Sequence, residues 1–188
     1  GASCSSEEAI AGSDPDVTFE GSTNGDRLGR AEIYAVGDLN ADGKTDFAFP
    51  TDTKIFIAYG GDSGGAVSAY DLTGFKSVVG LRIGYGNFNG DTYFDLVVAD
   101  NNKINIYYGG TAGIVAKPDI TISDISTVNF NYPPSVTNFA KTVSNQMVDI
   151  NGDGLTDLIT VSERGLLIYE THQGTLSAMP SVFDPFVN

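Results

Sequence analysis

Short apolar runs rich in β-branched and aromatic residues recur along the chain, separated by clusters of Gly, Asp and Asn. In one run, Ile55, Ile57 and Tyr59 alternate with Phe56 and Ala58, which is typical of a β-strand. No segment has the apolar spacing of a helix of about ten residues or more. The pattern therefore predicts an all-β chain.

The chain contains an internal repeat. Three segments align over 24 residues without a gap: DLNADGKTDFAFPTDTKIFIAYGG from Asp38, NFNGDTYFDLVVADNNKINIYYGG from Asn87, and DINGDGLTDLITVSERGLLIYETH from Asp149. Their starts are 49 and then 62 residues apart, a spacing typical of propeller blades and other repeat arrays. The longer interval indicates an insertion at about residues 123–141, which are polar and contain Pro133 and Pro134.

Each repeat predicts four strands, one before its acidic loop and three after it. The predicted first strands are residues 31–36, 81–86 and 144–148, and the predicted fourth strands are residues 66–72, 119–123 and 181–183. Small four-stranded antiparallel sheets are the blades of a β-propeller. We therefore predict blades at about residues 26–75, 76–123 and 141–188, in a domain of residues 14–188 that follows a flexible tail of residues 1–13.

The loop between the first two strands of each repeat carries oxygen-bearing side chains at fixed positions. In the first loop these occupy positions 1, 3, 5 and 9, with Gly43 at position 6. A curled loop turns alternate side chains inward, and glycine permits its sharp bend. Such hard oxygen ligands suit Ca²⁺ better than Mg²⁺. The predicted ligands of the first loop are Asp38, Asn40, Asp42, the carbonyl of Lys44, and Asp46.

The other two loops differ in quality, for a total of up to three Ca²⁺ ions. The third loop offers Asp149, Asn151, Asp153, the carbonyl of Leu155, and Asp157. The second offers Asn87, Asn89, Asp91, the carbonyl of Tyr93, and Asp95. Because the second loop has one carboxylate fewer and carries Thr92 in place of the glycine, we expect it to bind calcium most weakly.

The loops are not EF-hands, because the twelfth position of an EF-hand is a bidentate Glu. Here that position is Phe49, Val98 or Thr160. An alternative to metal binding also stays open at this point. Turns rich in Asn and Asp can be stabilised by their own side-chain hydrogen bonds, without a metal.

Composition narrows the range of partners. The 188 residues carry a formal net charge of −14, which repels nucleic acids and anionic membranes. Eight acidic side chains lie in the loops. Three bound Ca²⁺ would bring the net charge from −14 to about −8. No apolar run approaches the roughly 20 residues that cross a bilayer. We expect neither nucleic-acid binding nor a transmembrane segment.

The segment around Cys4, GASCSSEEA, contains the only cysteine of the chain. It resembles the start of a mature bacterial lipoprotein, in which the first cysteine is acylated after removal of a signal peptide. The alternative is a free cysteine in a frayed terminus. No disulfide can form within the chain.

With GDLNADGKTDFAF, GNFNGDTYFDLVV and VDINGDGLTDLIT, the chain resembles the FG-GAP repeats of integrin α-subunit β-propellers and their bacterial relatives. The resemblance covers about residues 26–172 and begins with DRLGRA at residues 26–31. It implies calcium in the loop between the first two strands of each blade, and ligand binding by other loops. Such propellers commonly close with about seven blades, so three blades imply a partial ring.

Three explanations of the partial ring stay open. The chain belongs to a longer protein, or copies associate as a homo-oligomer that completes the propeller, or residues 9–30 and 175–188 cap its ends. Open sheets would otherwise expose apolar faces and strand edges.

No catalytic residues are expected. His172 is the only histidine, Cys4 lies in the predicted tail, and Glu163 with Arg164 occupies a predicted turn. The prediction is a non-catalytic, calcium-binding module for recognition or adhesion, whose ligand is a protein or a carbohydrate. The alternative is an accessory or catalytic fragment of a polysaccharide-active enzyme.

Loops without a bidentate twelfth ligand bind calcium at the weak end of its range, roughly 10⁻⁵ to 10⁻³ M. Extracellular calcium satisfies this requirement. We therefore expect an extracytoplasmic location, secreted, periplasmic or on the cell surface, with a lipoprotein anchor as one form.

Overall fold

The computed structural model describes residues 32–51, 54–61, 67–70, 81–99, 103–123, 142–143, 148–162, 165–178 and 181–183. These residues form strands and turns without a helix, which confirms the all-β prediction. None of them forms a helix that is long and apolar enough to cross a membrane. The predicted tail with Cys4, the segment at residues 26–31, the insertion at 124–141 and the turn at 163–164 lie outside the described residues.

The first two repeats each form one four-stranded antiparallel sheet, with neighbouring strands in chain order. Sheet 1 consists of β1 (Tyr34–Ala35), β2 (Phe47–Pro50), β3 (Ile55–Ala58) and β4 (Val67–Tyr70). Sheet 2 consists of β5 (Arg82–Gly86), β6 (Asp95–Ala99), β7 (Ile104–Tyr107) and β8 (Ile120–Ile122). Four strands per repeat, with the candidate loop between the first and second, agree with the sequence pattern.

The third repeat contains a hairpin that the sequence pattern did not predict. Its strands are β9 (Thr142–Val143), β10 (Leu158–Ser162), β11 (Gly165–Tyr169), β12 (Thr171–His172), β13 (Thr175–Leu176) and β14 (Ser181–Phe183). Sheet 3 pairs β9, β10, β11 and β14, while β12 and β13 form the separate hairpin. Gln173 and Gly174 turn this hairpin with φ of 51° and 74°, as two-residue turns with two left-handed residues do.

One strand boundary differs from the prediction. The first strand of the third repeat was expected at residues 144–148, but the described strand is Thr142–Val143, which pairs with Val161 and Thr160. Val148 is not part of a strand, and residues 144–147 lie outside the described residues. Pairing register, which this sequence segment alone does not encode, determines where a short edge strand begins.

Sheet 2 packs between the other two sheets, and both of its faces are apolar. Because successive side chains of a strand point to opposite faces, Leu96 and Val98 join the core against sheet 1. Val97 and Ala99 join the core against sheet 3. We call the face toward the next sheet in chain order the forward face, and the face toward the preceding sheet the backward face. Strand β6 is buried throughout as a result.

Candidate metal-binding loops

The three candidate loops lie side by side at one edge of the stack. We number them with their sheets, so that loop 1 starts at Asp38, loop 2 at Asn87 and loop 3 at Asp149. The carbonyl of Asp38 accepts the N–H of Phe94 at 3.1 Å, and the carbonyl of Asn87 accepts the N–H of Thr156 at 2.9 Å. Both bonds join position 1 of one loop to position 8 of the next. The same relationship therefore links each neighbouring pair.

Loop 1 is curled around the carboxylate at position 1. The two oxygens of Asp38 accept the N–H groups of Asp42 at 3.0 Å and Gly43 at 2.7 Å. Oδ1 of Asn40 accepts the N–H of Asp42 at 3.2 Å, and Oδ1 of Asp42 accepts that of Lys44 at 2.9 Å. Gly43 has a φ of 85°, a left-handed conformation that glycine adopts without strain. The oxygens at positions 1, 3 and 5 therefore each accept a backbone N–H of the loop itself.

Loop 3 repeats this arrangement. The carboxylate of Asp149 accepts the N–H groups of Asp153 at 3.2 Å and Gly154 at 2.8 Å. Oδ1 of Asn151 accepts the N–H of Asp153 at 2.9 Å, and Oδ1 of Asp153 accepts that of Leu155 at 2.9 Å. Gly154 at position 6 has a φ of 87°. Two loops separated by a complete sheet thus share these four internal bonds, and loop 3 adds one from the N–H of Gly152 to Oδ1 of Asp149 at 2.6 Å.

Loop 2 has the same bonds at positions 3 and 5 as loops 1 and 3, but a different bond at position 1. Oδ1 of Asn89 accepts the N–H of Asp91 at 3.0 Å, and Oδ1 of Asp91 accepts that of Tyr93 at 2.8 Å. However, the amide group of Asn87 donates to the carbonyl of Asp91 at 2.6 Å. Among the described residues, Thr92 is not one of those with a positive φ. An amide has one acceptor oxygen where a carboxylate has two, and a β-branched residue resists the left-handed bend.

The aspartates at position 9 have a structural role that the sequence reasoning missed. Asp46, Asp95 and Asp157 are buried, and their Oδ2 atoms accept the N–H of the second loop residue at 2.7, 2.7 and 2.8 Å. Their Oδ1 atoms accept the N–H of Gly60, Gly109 and Thr171 at 2.8, 3.0 and 2.8 Å. That second donor lies 14 residues further along in each repeat. Each aspartate therefore links its loop by hydrogen bonds to the segment that follows the third strand of the same repeat.

Burial dominates the electrostatics of two of these carboxyl groups. It raises the pKa of Asp46, although the N–H groups of Gly60 and Leu39 lower it, and the charges of Asp42 and Asp38 raise it further. Burial raises the pKa of Asp95 to about 7, opposed by the N–H groups of Phe88 and Gly109. The charges of Asp91 and Asp119 add to the shift of Asp95. The charges of neighbouring aspartates thus add to the effect of burial in loops 1 and 2, and a bound cation would offset that part of the shift.

His172 lies against loop 3. Its Nδ1 is 3.7 Å from Oδ2 of Asp153, and its Nε2 is 3.1 Å from Oε2 of Glu170. The imidazole is largely exposed, as expected for a histidine beside a turn. The hairpin of β12 and β13 carries it to this position, and sequence spacing alone gave no signal of the proximity.

The described residues contain the oxygen donors that a calcium site needs, but not a preformed carboxylate cage. Within these residues, no group of three or more His, Cys, Asp or Glu side chains is arranged to hold a metal ion. In loops 1 and 3 the position-1 and position-5 oxygens bind the loop's own N–H groups, and each retains lone-pair capacity. Oxygen atoms alone, in a site of net negative charge, fit Ca²⁺ better than softer metals. The ligand roles of all three predicted sets stay a prediction.

No model of a known protein family matches this chain, and no curated protein matches it significantly. The propeller and calcium predictions therefore rest on the sequence pattern of this chain, and the described strands show the all-β class.

Proposed function

We propose that this chain is a calcium-binding, non-catalytic β-propeller-type module, built from FG-GAP-like repeats, that acts in recognition or adhesion. The observation that supports the proposal is the near-identical bonding of loops 1 and 3. Turns that only cap strands do not require carboxylates at the same offsets and the same inward bonds. A shared metal requirement explains both.

Calcium in this proposal serves to stabilise the loop edge. Neighbouring carboxylates within loops 1 and 3 accept backbone N–H groups, and the repulsion between their negative charges would be relieved by a bound cation. Binding to the folded state alone would stabilise it by about 2.7 kcal/mol per site at a hundredfold excess over Kd. The second loop, with its amide at position 1, is expected to contribute least.

The proposed location is outside the cytoplasm, and the proposed ligand is a protein or carbohydrate. This follows from the expected calcium affinity, roughly 10⁻⁵ to 10⁻³ M without a bidentate twelfth ligand. Calcium outside cells occupies such sites, whereas resting cytoplasmic calcium does not. The ligand would bind on loops other than the three calcium loops.

Isothermal titration with CaCl₂ and thermal unfolding in calcium or EDTA test the calcium proposal. We expect two stronger sites and one weaker site, and a higher unfolding temperature in calcium. Asp42→Asn and Asp153→Asn remove one charge each and keep the acceptor oxygen, so each should weaken one strong site. Glu32→Gln, which removes an exposed carboxylate outside the loops, is the matched control. The absence of both binding heat and a thermal shift at about 1 mM calcium would contradict the proposal.

Binding to a glycan array, together with assays on polysaccharide substrates, tests the recognition role. Selective binding without turnover supports a recognition module. If the purified protein degrades a polysaccharide substrate, the non-catalytic role is contradicted and the polysaccharide-active enzyme is supported instead.

A further inference from the structure

One peptide bond of loop 3 contributes to two loops. In the predicted calcium site of loop 3, position 7 supplies the carbonyl of Leu155. The nitrogen of the same peptide bond belongs to Thr156, and its N–H donates to the carbonyl of Asn87, position 1 of loop 2, at 2.9 Å. Because a peptide bond is planar and rigid, an interaction that fixes the carbonyl of Leu155 also fixes the direction of this N–H.

Thr156 binds both backbone polar groups of Asn87. Its hydroxyl accepts the N–H of Asn87 at 2.9 Å, in addition to the bond that its own N–H donates. The side chain of Asn87, in contrast, is bound inside loop 2, where its Oδ1 accepts the N–H of Gly90 at 2.7 Å. Loop 3 therefore positions the first residue of loop 2.

The hairpin of β12 and β13 forms a second link between loops 3 and 2. On the side of loop 3, the amide group of Asn151 donates to the carbonyl of Thr171 at 3.3 Å. On the side of loop 2, a Cβ atom at Gly174 would run into the carbonyl of Asn89, at position 3. Among the described strands, such a hairpin occurs in the third repeat alone. Two predicted ligand positions of loop 2 thus contact the third repeat.

Loop 2 combines the weakest predicted ligand set with these contacts from its neighbour. It has two carboxylates where loops 1 and 3 each have three. A loop with fewer charges attracts a cation less, so its affinity depends more on how far its oxygens are already in place. For loop 2, that placement comes from Thr156 and the hairpin.

We propose that calcium binding to loop 3 raises the calcium affinity of loop 2, so that loop 2 fills after loop 3. A cation at the carbonyl of Leu155 polarises the shared peptide bond and strengthens the hydrogen bond that its N–H donates to Asn87. With Asn87 held more firmly, less conformational freedom is lost when loop 2 binds its own cation. Coupling between two sites of a protein typically changes affinity by about 5- to 150-fold. This inference rests on the calcium part of the proposed function.

Three glycine amides report the loops separately in heteronuclear NMR spectra of the full chain. The N–H groups of Gly43, Gly90 and Gly154 donate to the position-1 side chains of loops 1, 2 and 3 at 2.7, 2.7 and 2.8 Å. Titration with CaCl₂ gives one midpoint for each loop. In the unmodified chain we expect the Gly90 midpoint at a higher calcium concentration than the Gly154 midpoint. The reverse order would overturn the proposal.

Asp153→Asn and Asp42→Asn form a matched pair, because each removes one charge at position 5 of its loop. Asp153→Asn weakens loop 3 directly and should move the Gly90 midpoint to at least about fivefold higher calcium. Asp42→Asn weakens loop 1, whose position-7 peptide bond is not the one that holds Asn87. It should move the Gly90 midpoint by less than about twofold. Equal shifts for the two variants, or no shift with Asp153→Asn, would overturn the proposal.

Thr156→Val tests the route of the coupling. It keeps the backbone N–H that donates to Asn87 and removes the hydroxyl that accepts the N–H of Asn87. In this background, the effect of Asp153→Asn on the Gly90 midpoint should be smaller by at least about twofold. The loss of a charge near loop 2 acts equally in both backgrounds. An undiminished effect would therefore overturn the proposal.

The same titration separates a failure of the coupling from a failure of calcium binding. If all three glycine amides shift with calcium but Asp153→Asn leaves the Gly90 midpoint unchanged, the coupling alone is contradicted. If none of the three amides shifts at about 1 mM calcium, the calcium proposal is contradicted and the coupling with it.

Discussion

Thr156 and Asn87 are joined by two reciprocal hydrogen bonds between neighbouring loops. The N–H of Thr156 donates to the carbonyl of Asn87, and the hydroxyl of Thr156 accepts the N–H of Asn87, both at 2.9 Å. At the corresponding junction of loops 1 and 2, Phe94 has no hydroxyl and makes only the first of these bonds. Loops 2 and 3 are thus held together more firmly than loops 1 and 2.

Replacing the threonine hydroxyl should weaken this junction. Thr156→Val keeps the side-chain shape and the backbone N–H, but leaves the N–H of Asn87 without its acceptor. We expect a loss of about 1–2 kcal/mol in the free energy of unfolding, measured by urea denaturation. Thr45→Val, at the exposed equivalent position of loop 1, should change it by less than about 0.5 kcal/mol. Equal losses would show that the junction bond adds no stability.

Removing the charge of the position-9 aspartate of loop 3 should destabilise the fold even in the presence of a chelator. Asp157→Asn exchanges one acceptor oxygen for an N–H donor, which then faces the N–H of Ile150 or of Thr171. We expect a loss of about 2–4 kcal/mol, because a charged hydrogen bond is lost and a buried donor is left unpaired. Asp153→Asn in the same loop is exposed and should cost less than about 0.5 kcal/mol in EDTA. A comparable cost for both would contradict the linking role.

The pKa of Asp95 predicts how stability without calcium depends on pH. Burial raises the pKa of Asp95 from 3.8 to about 7, so between these values the folded chain holds a proton that the unfolded chain releases. The contribution of Asp95 to stability is therefore present below about pH 4 and is lost as the pH rises to about 7. In EDTA, the free energy of unfolding should fall less steeply with rising pH across this window for Asp95→Asn than for the unmodified chain. Glu32→Gln is the control, and an unchanged slope for Asp95→Asn would contradict the prediction.

Two adjacent glycines offer a test of how closely loops 1 and 2 approach. A Cβ atom at Gly109 would run into the backbone carbonyls of Leu39 and Phe94, one from each loop. A Cβ atom at Gly110 would come no closer than 3.7 Å to the carbonyl of Gly113. Gly109→Ala should therefore cost about 2 kcal/mol or more in urea denaturation, and Gly110→Ala less than about 0.5 kcal/mol. If both alanines are tolerated, the two loops are further apart than described.

A stabilising substitution is available at position 4 of loop 1. Ala41 has a φ of 55°, whereas loops 2 and 3 carry Gly90 and Gly152 there, each with a φ of 79°. Ala41→Gly relieves a left-handed strain of about 1–2 kcal/mol and adds about 0.5–1 kcal/mol of chain entropy to the unfolded state. We expect a net gain of about 0.5–1 kcal/mol in thermal unfolding. Ala35→Gly in β1 lacks this strain and should lose stability instead.

The repeat pattern predicted the all-β class and the place of each loop because both depend on local residue order. The run of β-branched and aromatic residues at Ile55 and Ile57 identifies a strand, and the spacing of Asp38, Asn40 and Asp42 determines which oxygens share a loop. The second and fourth strands of each repeat were predicted for the same reason.

Features that depend on contacts between distant residues could not be predicted in this way. The hydrogen bond from the N–H of Gly60 to Asp46 joins residues that two strands separate along the chain. Nothing near Asp46 in the sequence indicates that its carboxylate accepts this N–H. The hairpin that brings His172 to Asp153 turns at Gln173, a residue that is uncommon in left-handed turns. The start of β9 depended on pairing with β10 and not on its own composition.

The burial of sheet 2 on both faces has a consequence for the order in which the fold opens. Strands β6 and β7 are buried on both faces. Their amide hydrogens can therefore exchange with deuterated water only after a neighbouring sheet has separated. In a linear stack, opening begins at the ends and proceeds inward. Deuterium uptake should therefore be slowest at Leu96, Val98 and Ile106, and the rate at these amides reports the stability of the whole stack.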